Sequence, residues 1–312
     1  MKKHPGIPAN LATTYSIVAR DPSTGQFGVA VQSHYFSVGS LVPWAEAGVG
    51  VVATQSFVDP SYGKLGLDLM RAGRGASDAL AGLVAADVAR EVRQVAMVDA
   101  DGAAAAHTGA RCIAEAGHVA GDGFSVQANM MHRSTVWGAM AEAYKGASGD
   151  FAERLMAALD AAEAEGGDVR GMQSAAILIV EGKSTNRPWA DRIVDIRVED
   201  STGPLHELRR LLNVRRAYQC RAAADAALVR GDFDAMNREF SRAEELMGDN
   251  PEMHFWHGVM LANIGRVDDA LPLFRTAFTR DRRWLDLAER LVPVQLLPSD
   301  AAVMAKIRSA AP

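Results

Sequence analysis

Two threonines, Thr13 and Thr14, stand where an irregular leader gives way to the first strand-like run of the chain, Thr14–Arg20 (TYSIVAR). A threonine at the free start of a strand has a chemistry attached to it. Its hydroxyl attacks an amide carbonyl, and its own α-amine takes the proton. Such an amine titrates at about 7.7–8.0 in reference peptides, close enough to neutrality to serve as a base. The amine must be free, so the leader, residues 1–13, would have to be removed. Threonine also favours strands for packing reasons, so residue type alone leaves both readings open.

Other polar residues fall at strand ends, where a site could draw on them. Ser33 and His34 close the second strand, and His107 lies near the end of another as a candidate second base. Gln55 closes a very apolar strand and Asn129 is placed similarly; a polar group there needs a partner, and either could donate to an oxyanion. Asp168, Arg170 and Gln173 cluster after a helix and before a strand. Asp191 and Arg192, with Asp195, could clamp a substrate carboxylate or form a structural ion pair, and the ion pair is the simpler expectation. Cys112 follows a glycine turn, where a small buried side chain is expected more readily than a nucleophile.

Several familiar patterns fail in context. Gly48-Val-Gly50-Val-Val-Ala53 has the spacing of a dinucleotide loop but does not open a helix. Gly182-Lys183-Ser184 lacks the first glycine of a phosphate loop, and Gly123-Phe-Ser125-Val-Gln127 lacks the last glycine of a nucleophile elbow. No HExxH occurs. His254 and His257 are spaced i,i+3 on a helix and are expected to be packing or solvated residues. A composite of His34, His107 and His118 is the remaining way to assemble a metal site; local spacing offers none, and no cofactor is called for.

The elements that must position these residues alternate between strands and helix pairs. Thr14–Arg20 and Phe27–Ser33 form a hairpin about the turn Asp21-Pro-Ser-Thr-Gly25. Val49–Gln55 is apolar on both faces, as a buried strand requires. Tyr62–Ala72 and Ala76–Ala85 carry helical spacing. Val92–Val98 and Ala103–Thr108 flank the turn Asp99-Ala-Asp-Gly102, and Phe124–Asn129 is a further strand. Val136–Tyr144 and Phe151–Ala164 are helices, followed by strands Ser174–Val180 and Ile193–Val198. This order suits an α+β fold of two antiparallel sheets packed face to face with helix pairs outside, a four-layer αββα sandwich over residues 14–203.

From Pro204 to residue 312 the strand signal ends. Gly231 and Gly265, Phe233 and Val267, Phe240 and Phe274, and Ala243 and Ala277 are each 34 residues apart. That period of paired helices is the tetratricopeptide spacing. Two such units are too few to stand alone, so the helices are expected to dock on the first domain or on a second subunit. Ser201-Thr-Gly-Pro204 marks the boundary.

The chain has 312 residues, enough for two domains. It is 48% apolar and 23% charged with a net charge of −5, which excludes a disordered chain and argues against a nucleic-acid binder. Its two cysteines make no disulfide framework, and a reduced, cytoplasmic chain is the default. No run approaches about 20 apolar residues, and the leader MKKHPGIPANLAT, broken by Pro5, Gly6 and Pro8, is unlike a signal peptide and is expected to be flexible.

The run TYSIVARDPSTGQFGVAVQS, continued by VGSLVPWAEAGVGVVATQSFVDPSYG, VDADG, HTGARC, the AGH at 116–118, GGDVRGMQSAAILIV and DRIVDIRVED, resembles the DUF1028 family over roughly Thr14 to Asp200. The resemblance implies an N-terminal-nucleophile (Ntn) hydrolase-like fold, in agreement with the element order. In many family members a Met-Thr start precedes the first strand, and Thr14 is the matching position, here preceded by 13 residues. The family often has lysine after the serine that ends the second strand, where this chain has His34. The expectation is an amide-bond hydrolase with Thr14 as nucleophile, Ser33, His34 and His107 as tuning or base groups, and Gln55, Asn129, Asp191 and Arg192 on the substrate. Its partner would be a small amide or peptide-like molecule, with self-association through helices and no nucleic acid or membrane. The alternative is a non-catalytic binding or assembly protein that keeps the fold and uses its helical repeats to hold a partner.

Overall fold

The computed structural model describes residues 11–248 and 250–312. Among these the chain is mixed α+β, with two antiparallel sheets and ten α-helices. It forms two compact units that divide between Arg210 and Leu211.

In the first unit, β1 (Leu11–Ala12) precedes β2 (Thr14–Arg20) and β3 (Phe27–Ser33), which form the expected hairpin. Then come β4 (Pro43–Glu46) and β5 (Gly50–Phe57), the helices α1 (Ser61–Arg71) and α2 (Ala76–Ala86), and β6 (Arg93–Asp99), β7 (Ala104–Thr108), β8 (Gly117–Gly121) and β9 (Phe124–Ala128). Helices α3 (Val136–Gly146) and α4 (Phe151–Ala164) lead to β10 (Ser174–Val180) and β11 (Arg192–Val198). One sheet has the order β11-β10-β3-β2-β9-β8. In the other, β5 pairs with β6 along one edge and with β4 and β1 along the opposite edge, and β7 follows β6. The hairpin β2–β3 is therefore interior to its sheet.

Strand alternation divides the side chains between two kinds of core. Val18, Val29, Val31, Val51, Ala53, Ala96 and Val98 meet between the sheets. Val52, Val95 and Met97 point the other way and are covered by Tyr62, Leu67 and Met70 of α1 and Ala76, Ala79 and Leu80 of α2. On the second sheet α4 lies so close to β3 that a Cβ on Gly28 would come within 2.6 Å of Leu155 Cδ1 and 2.7 Å of Phe151 Cε1.

Residues 1–10 of the expected flexible leader lie outside the described residues. The rest of it is ordered: β1 pairs with β5, Leu11 opposite Phe57 and Ala12 opposite Ser56, and Thr13 is buried. The backbone pairing available on β5 outweighs the breakers upstream in the sequence. The chain thus leaves one sheet at Ala12 and enters the other at Thr14.

Helix α5 (Pro204–Val229) begins at Pro204 and includes the division between the two units at Arg210 and Leu211. The second unit continues with α6 (Phe233–Met247), α7 (Glu252–Asn263), α8 (Val267–Arg280), α9 (Arg283–Leu291) and α10 (Ala301–Ser309). Gly231 and Gly265, 34 residues apart, do the same job. Both are left-handed (φ 74° and 82°), and the residue after each donates its N–H five residues back, Asp232 to Ala227 O and Arg266 to Leu261 O. That is the glycine-terminated helix end in which the left-handed residue satisfies the last carbonyls. Phe240, Phe274, Ala243 and Ala277, also paired by this spacing, are all fully buried in the unit's interior.

Candidate active site

Thr14 opens an interior strand, and β3 ends beside it, with Ser33 opposite Thr14 in register. Alternation points Thr14, Ser16 and Ser33 into the space between the sheets. The Thr14 hydroxyl donates to Ala12 O at 2.7 Å and lies 3.1 Å from Ser33 Oγ. The Ser33 hydroxyl donates in turn to the carbonyl of Thr13. The same carbonyl accepts from the Arg170 guanidinium at 3.3 Å, so the Thr13–Thr14 peptide is polarised by a hydroxyl and a cation.

Arg170 is fixed by Asp168. Its Nε meets Asp168 Oδ1 at 3.0 Å, and its Nη2 meets Oδ2 at 2.7 Å. The Asp168 side chain is fully buried, while Arg170 is partly exposed. The Thr13 hydroxyl bridges the pair, accepting from Arg170 and donating to Asp168 Oδ2 at 3.3 Å. A paired, hydrogen-bonded charge of this kind is tolerable in the interior where an isolated one is not. On the opposite face of β2 the Tyr15 hydroxyl donates to Glu163 Oε1 at 2.5 Å. Burial, with the charge of Glu163, pushes the Tyr15 phenol well up; burial and the charge of Asp168 push the Glu163 carboxyl up, against the Tyr15 bond that pulls it down.

A lattice of side-chain amides continues from Thr14 into the interior. Gln55 Nε2 donates to Thr14 O at 3.0 Å and to Gln94 Oε1 at 2.8 Å, and Gln55 Oε1 accepts from Ser16 at 2.7 Å. Asn129 donates to Thr14 O through its backbone N–H at 3.1 Å and to Gln94 Oε1 through Nδ2 at 2.9 Å. Gln94 Nε2 reaches Ala128 O at 2.9 Å, Gly117 O at 3.1 Å and Thr108 Oγ1 at 2.9 Å. The same hydroxyl lies 2.8 Å from His118 Nδ1 and shares a hydrogen bond with it. Burial and neighbouring His107 hold the His118 imidazole below its usual range.

The structure therefore brings together Thr14, Ser33, Gln55 and Asn129. The last two grip the carbonyl of Thr14 itself and so position the strand; the donors on the preceding carbonyl are Ser33 and Arg170. His34 follows Ser33 just beyond the end of β3, and its buried Nδ1 has no partner among the described residues. His107 lies opposite Val95, on the helix-covered face, and its Nε2 donates to Arg90 O at 2.9 Å. Asp191 and Arg192 are at the far end of the sheet. Ser174 pairs with Ser33 at the Thr14 end, whereas Val180 pairs with Phe27 and Arg192 at the other.

At that far end Asp191 holds Thr185 at 2.6 Å, and Arg192 pairs with Asp195 at 2.9 Å. Cys112 donates to Arg93 O at 3.3 Å, and burial pushes its thiol up, which disfavours the thiolate. His257 is buried between Glu244 (2.8 Å) and Asn237 (3.1 Å) as a packing residue. No group of three or more metal-binding side chains occurs among the described residues, so His34, His107 and His118 form none. Gln94, a lone amide in the apolar run of β6, shows the same anomaly as Gln55 and is a site residue missing from the sequence expectation. Asp168 and Arg170 carry no local sign in the sequence that they meet Thr13.

The family model described as "Family of unknown function (DUF1028)" matches residues 14–208. A crystal structure of a DUF1028 protein from Silicibacter pomeroyi is similar, with 32% sequence identity and a TM-score of 0.58, over 64% of this chain and 88% of that one. No curated protein matches the chain.

Proposed function

The chain belongs to the DUF1028 family, and from that premise we propose that it is an amide-bond hydrolase of N-terminal-nucleophile type, described here with its nucleophile still capped. The layered first unit is taken as an Ntn-hydrolase-like αββα sandwich and the second as a tetratricopeptide-like extension. One observation carries the reading: the carbonyl of the peptide bond that joins Thr13 to Thr14 receives two donors, Ser33 and Arg170, and Ser33 Oγ lies 3.1 Å from the Thr14 hydroxyl. A carbonyl so held is prepared for the charge that attack would place on its oxygen.

In the uncut chain the nitrogen of Thr14 belongs to a peptide bond and has no lone pair for base work. Hydrolysis of the Thr13–Thr14 bond, which consumes one water and leaves the leader ending in a carboxylate, converts it to an amine. Thr14 Oγ1 would then attack a substrate amide carbonyl while the α-amine takes the hydroxyl proton. The tetrahedral oxyanion collapses, the substrate amine leaves with that proton, and the acyl group remains on Thr14 Oγ1 as an ester. The α-amine then deprotonates a water, which releases the acid and restores the hydroxyl.

Intact mass and N-terminal sequencing of untagged protein from its own host test the first step. A chain that starts at Thr14 supports the reading, and a full-length chain removes the free-amine route. With an active substrate in hand, Thr14→Ala is expected to lower kcat by at least about 10³-fold, as loss of a nucleophile does. Retained turnover would falsify the assignment.

The complete burial of Thr14 favours a second reading, a non-catalytic binding or assembly protein. Under it the paired helices beyond Arg210 hold a protein partner or a second copy of the chain. A partner captured equally well without those helices would count against it.

A further inference from the structure

The residues just ahead of Thr14 lie on the protein as a bound peptide would. Leu11 and Ala12 pair with the backbone of Phe57 and Ser56. Strand addition of this kind recognises extended backbone and leaves side-chain choice to neighbouring pockets. The pocket here belongs to Thr13. Its carbonyl takes the Ser33 hydroxyl and Arg170, and its own hydroxyl sits between Arg170 and the fully buried carboxylate of Asp168. Without this segment Ser33 Oγ loses the acceptor of its proton, and Arg170 and Asp168, still paired with each other, each lose their bonds to Thr13; polar groups left that way favour a ligand that restores the bonds.

We propose that this groove is the acyl-side subsite of the hydrolase, and that it takes an extended peptide whose residue before the scissile bond carries a β-hydroxyl, threonine or serine. The tail of the leader is its first occupant. This rests on the hydrolase reading, because the groove opens only when Thr14 becomes the first residue. The hydroxyl supplies both a donor for Asp168 and an acceptor for Arg170. Valine has the same shape and supplies neither, and sites built around a hydroxyl discriminate strongly against its absence.

The test uses the full chain from Thr14 to Pro312, released from an N-terminal fusion so that Thr14 is its first residue, and a Thr14→Ala companion made the same way. Binding of acetyl-Leu-Ala-Thr and acetyl-Leu-Ala-Val is measured by calorimetry. The threonine peptide is expected to bind at least about tenfold more tightly, and Arg170→Met to erase the preference. The companion should keep it, since binding needs no nucleophile. A companion that binds selectively while the parent releases no amine from the anilide of acetyl-Leu-Ala-Thr, which carries an amide after the threonine, would leave the subsite standing and remove the enzyme reading. Equal binding of the two peptides, or none by a chain whose melting shows it folded, overturns the proposal. Should the shortened chain not fold, the full-length chain decides. There Thr13→Ser should melt near the parent and Thr13→Val several degrees lower, and a Thr13→Val chain that melts like the parent overturns the proposal.

Discussion

At the scale of single residues, the polar interior is held by amides that each satisfy several neighbours. Gln94 is the hub, since its Nε2 serves three acceptors and its Oε1 serves Gln55 and Asn129. Gln94→Leu fits the volume but leaves Ala128 O, Gly117 O and two side-chain donors short of partners. Each buried group left so costs about 1–3 kcal/mol, and the sum after relaxation is expected to be about 3 kcal/mol. A thermal melt should show this as a fall of roughly 10 °C; a fall below about 2 °C would mean that water or rotation replaces the lattice. Ser33, Gln55 and Asn129 stand out in the sequence because a polar residue ending an apolar strand is an anomaly, and Thr14 because it opens a strand directly after an irregular leader. Their bonding partners do not, because Arg170 and Asp168 lie more than 150 residues from Thr13 and only the fold brings them there.

At the scale of elements, hairpins and amphipathic helices follow local rules, and β2, β3, α4 and β10 coincide with the spans read from periodicity. Three strands do not follow such rules. Two-residue β1 exists because β5, more than 40 residues further along the chain, offers an open edge; Pro43–Glu46 and Gly117–Gly121 carry proline or glycine where strand propensity is poor, and each is held by a hairpin with the strand that follows it. Close approach between elements is a related hidden constraint. Gly28→Ala would drive a methyl into Leu155 and Phe151 of α4, at an expected cost of about 1–3 kcal/mol. Gly258→Ala, inside α7, meets Phe274 at 3.3 Å and gains helix propensity, so the two effects should nearly cancel. Chemical denaturation of the two variants should separate them; equal losses would mean that α4 shifts freely on β3.

At the scale of the whole molecule, each unit has its own buried core, and the second carries an acid-sensitive carboxyl in Glu244. In the second unit burial pushes the Glu244 carboxyl up, but the bonds from His254 and His257 outweigh it and hold it at about 2, below its ordinary 4.5. A depressed carboxyl contributes stability that is complete above the unfolded value and is lost as pH falls from about 4.5 through about 2. The shift corresponds to on the order of 3 kcal/mol. Glu244→Gln should flatten the acid limb of the unfolding free energy between those values, followed by helical circular dichroism in urea; an unchanged limb would place the acid sensitivity elsewhere.

The layer between the two sheets is graded, with valines at one end and hydroxyls and amides at the other. That gradient sets an order of assembly. Collapse favours apolar contacts, so the valine end should condense in the folding transition state, while the amide lattice can close only after both sheets are in register. Val29→Ala should then slow folding, whereas Ser16→Ala and Gln127→Ala should mainly hasten unfolding, as the two arms of a chevron would reveal. Comparable slowing by all three would reverse that order. The end of the molecule that carries Thr14 would thus be the last built and the first to loosen, and a chain arrested just short of completion would be compact, spectroscopically near-native and chemically inert.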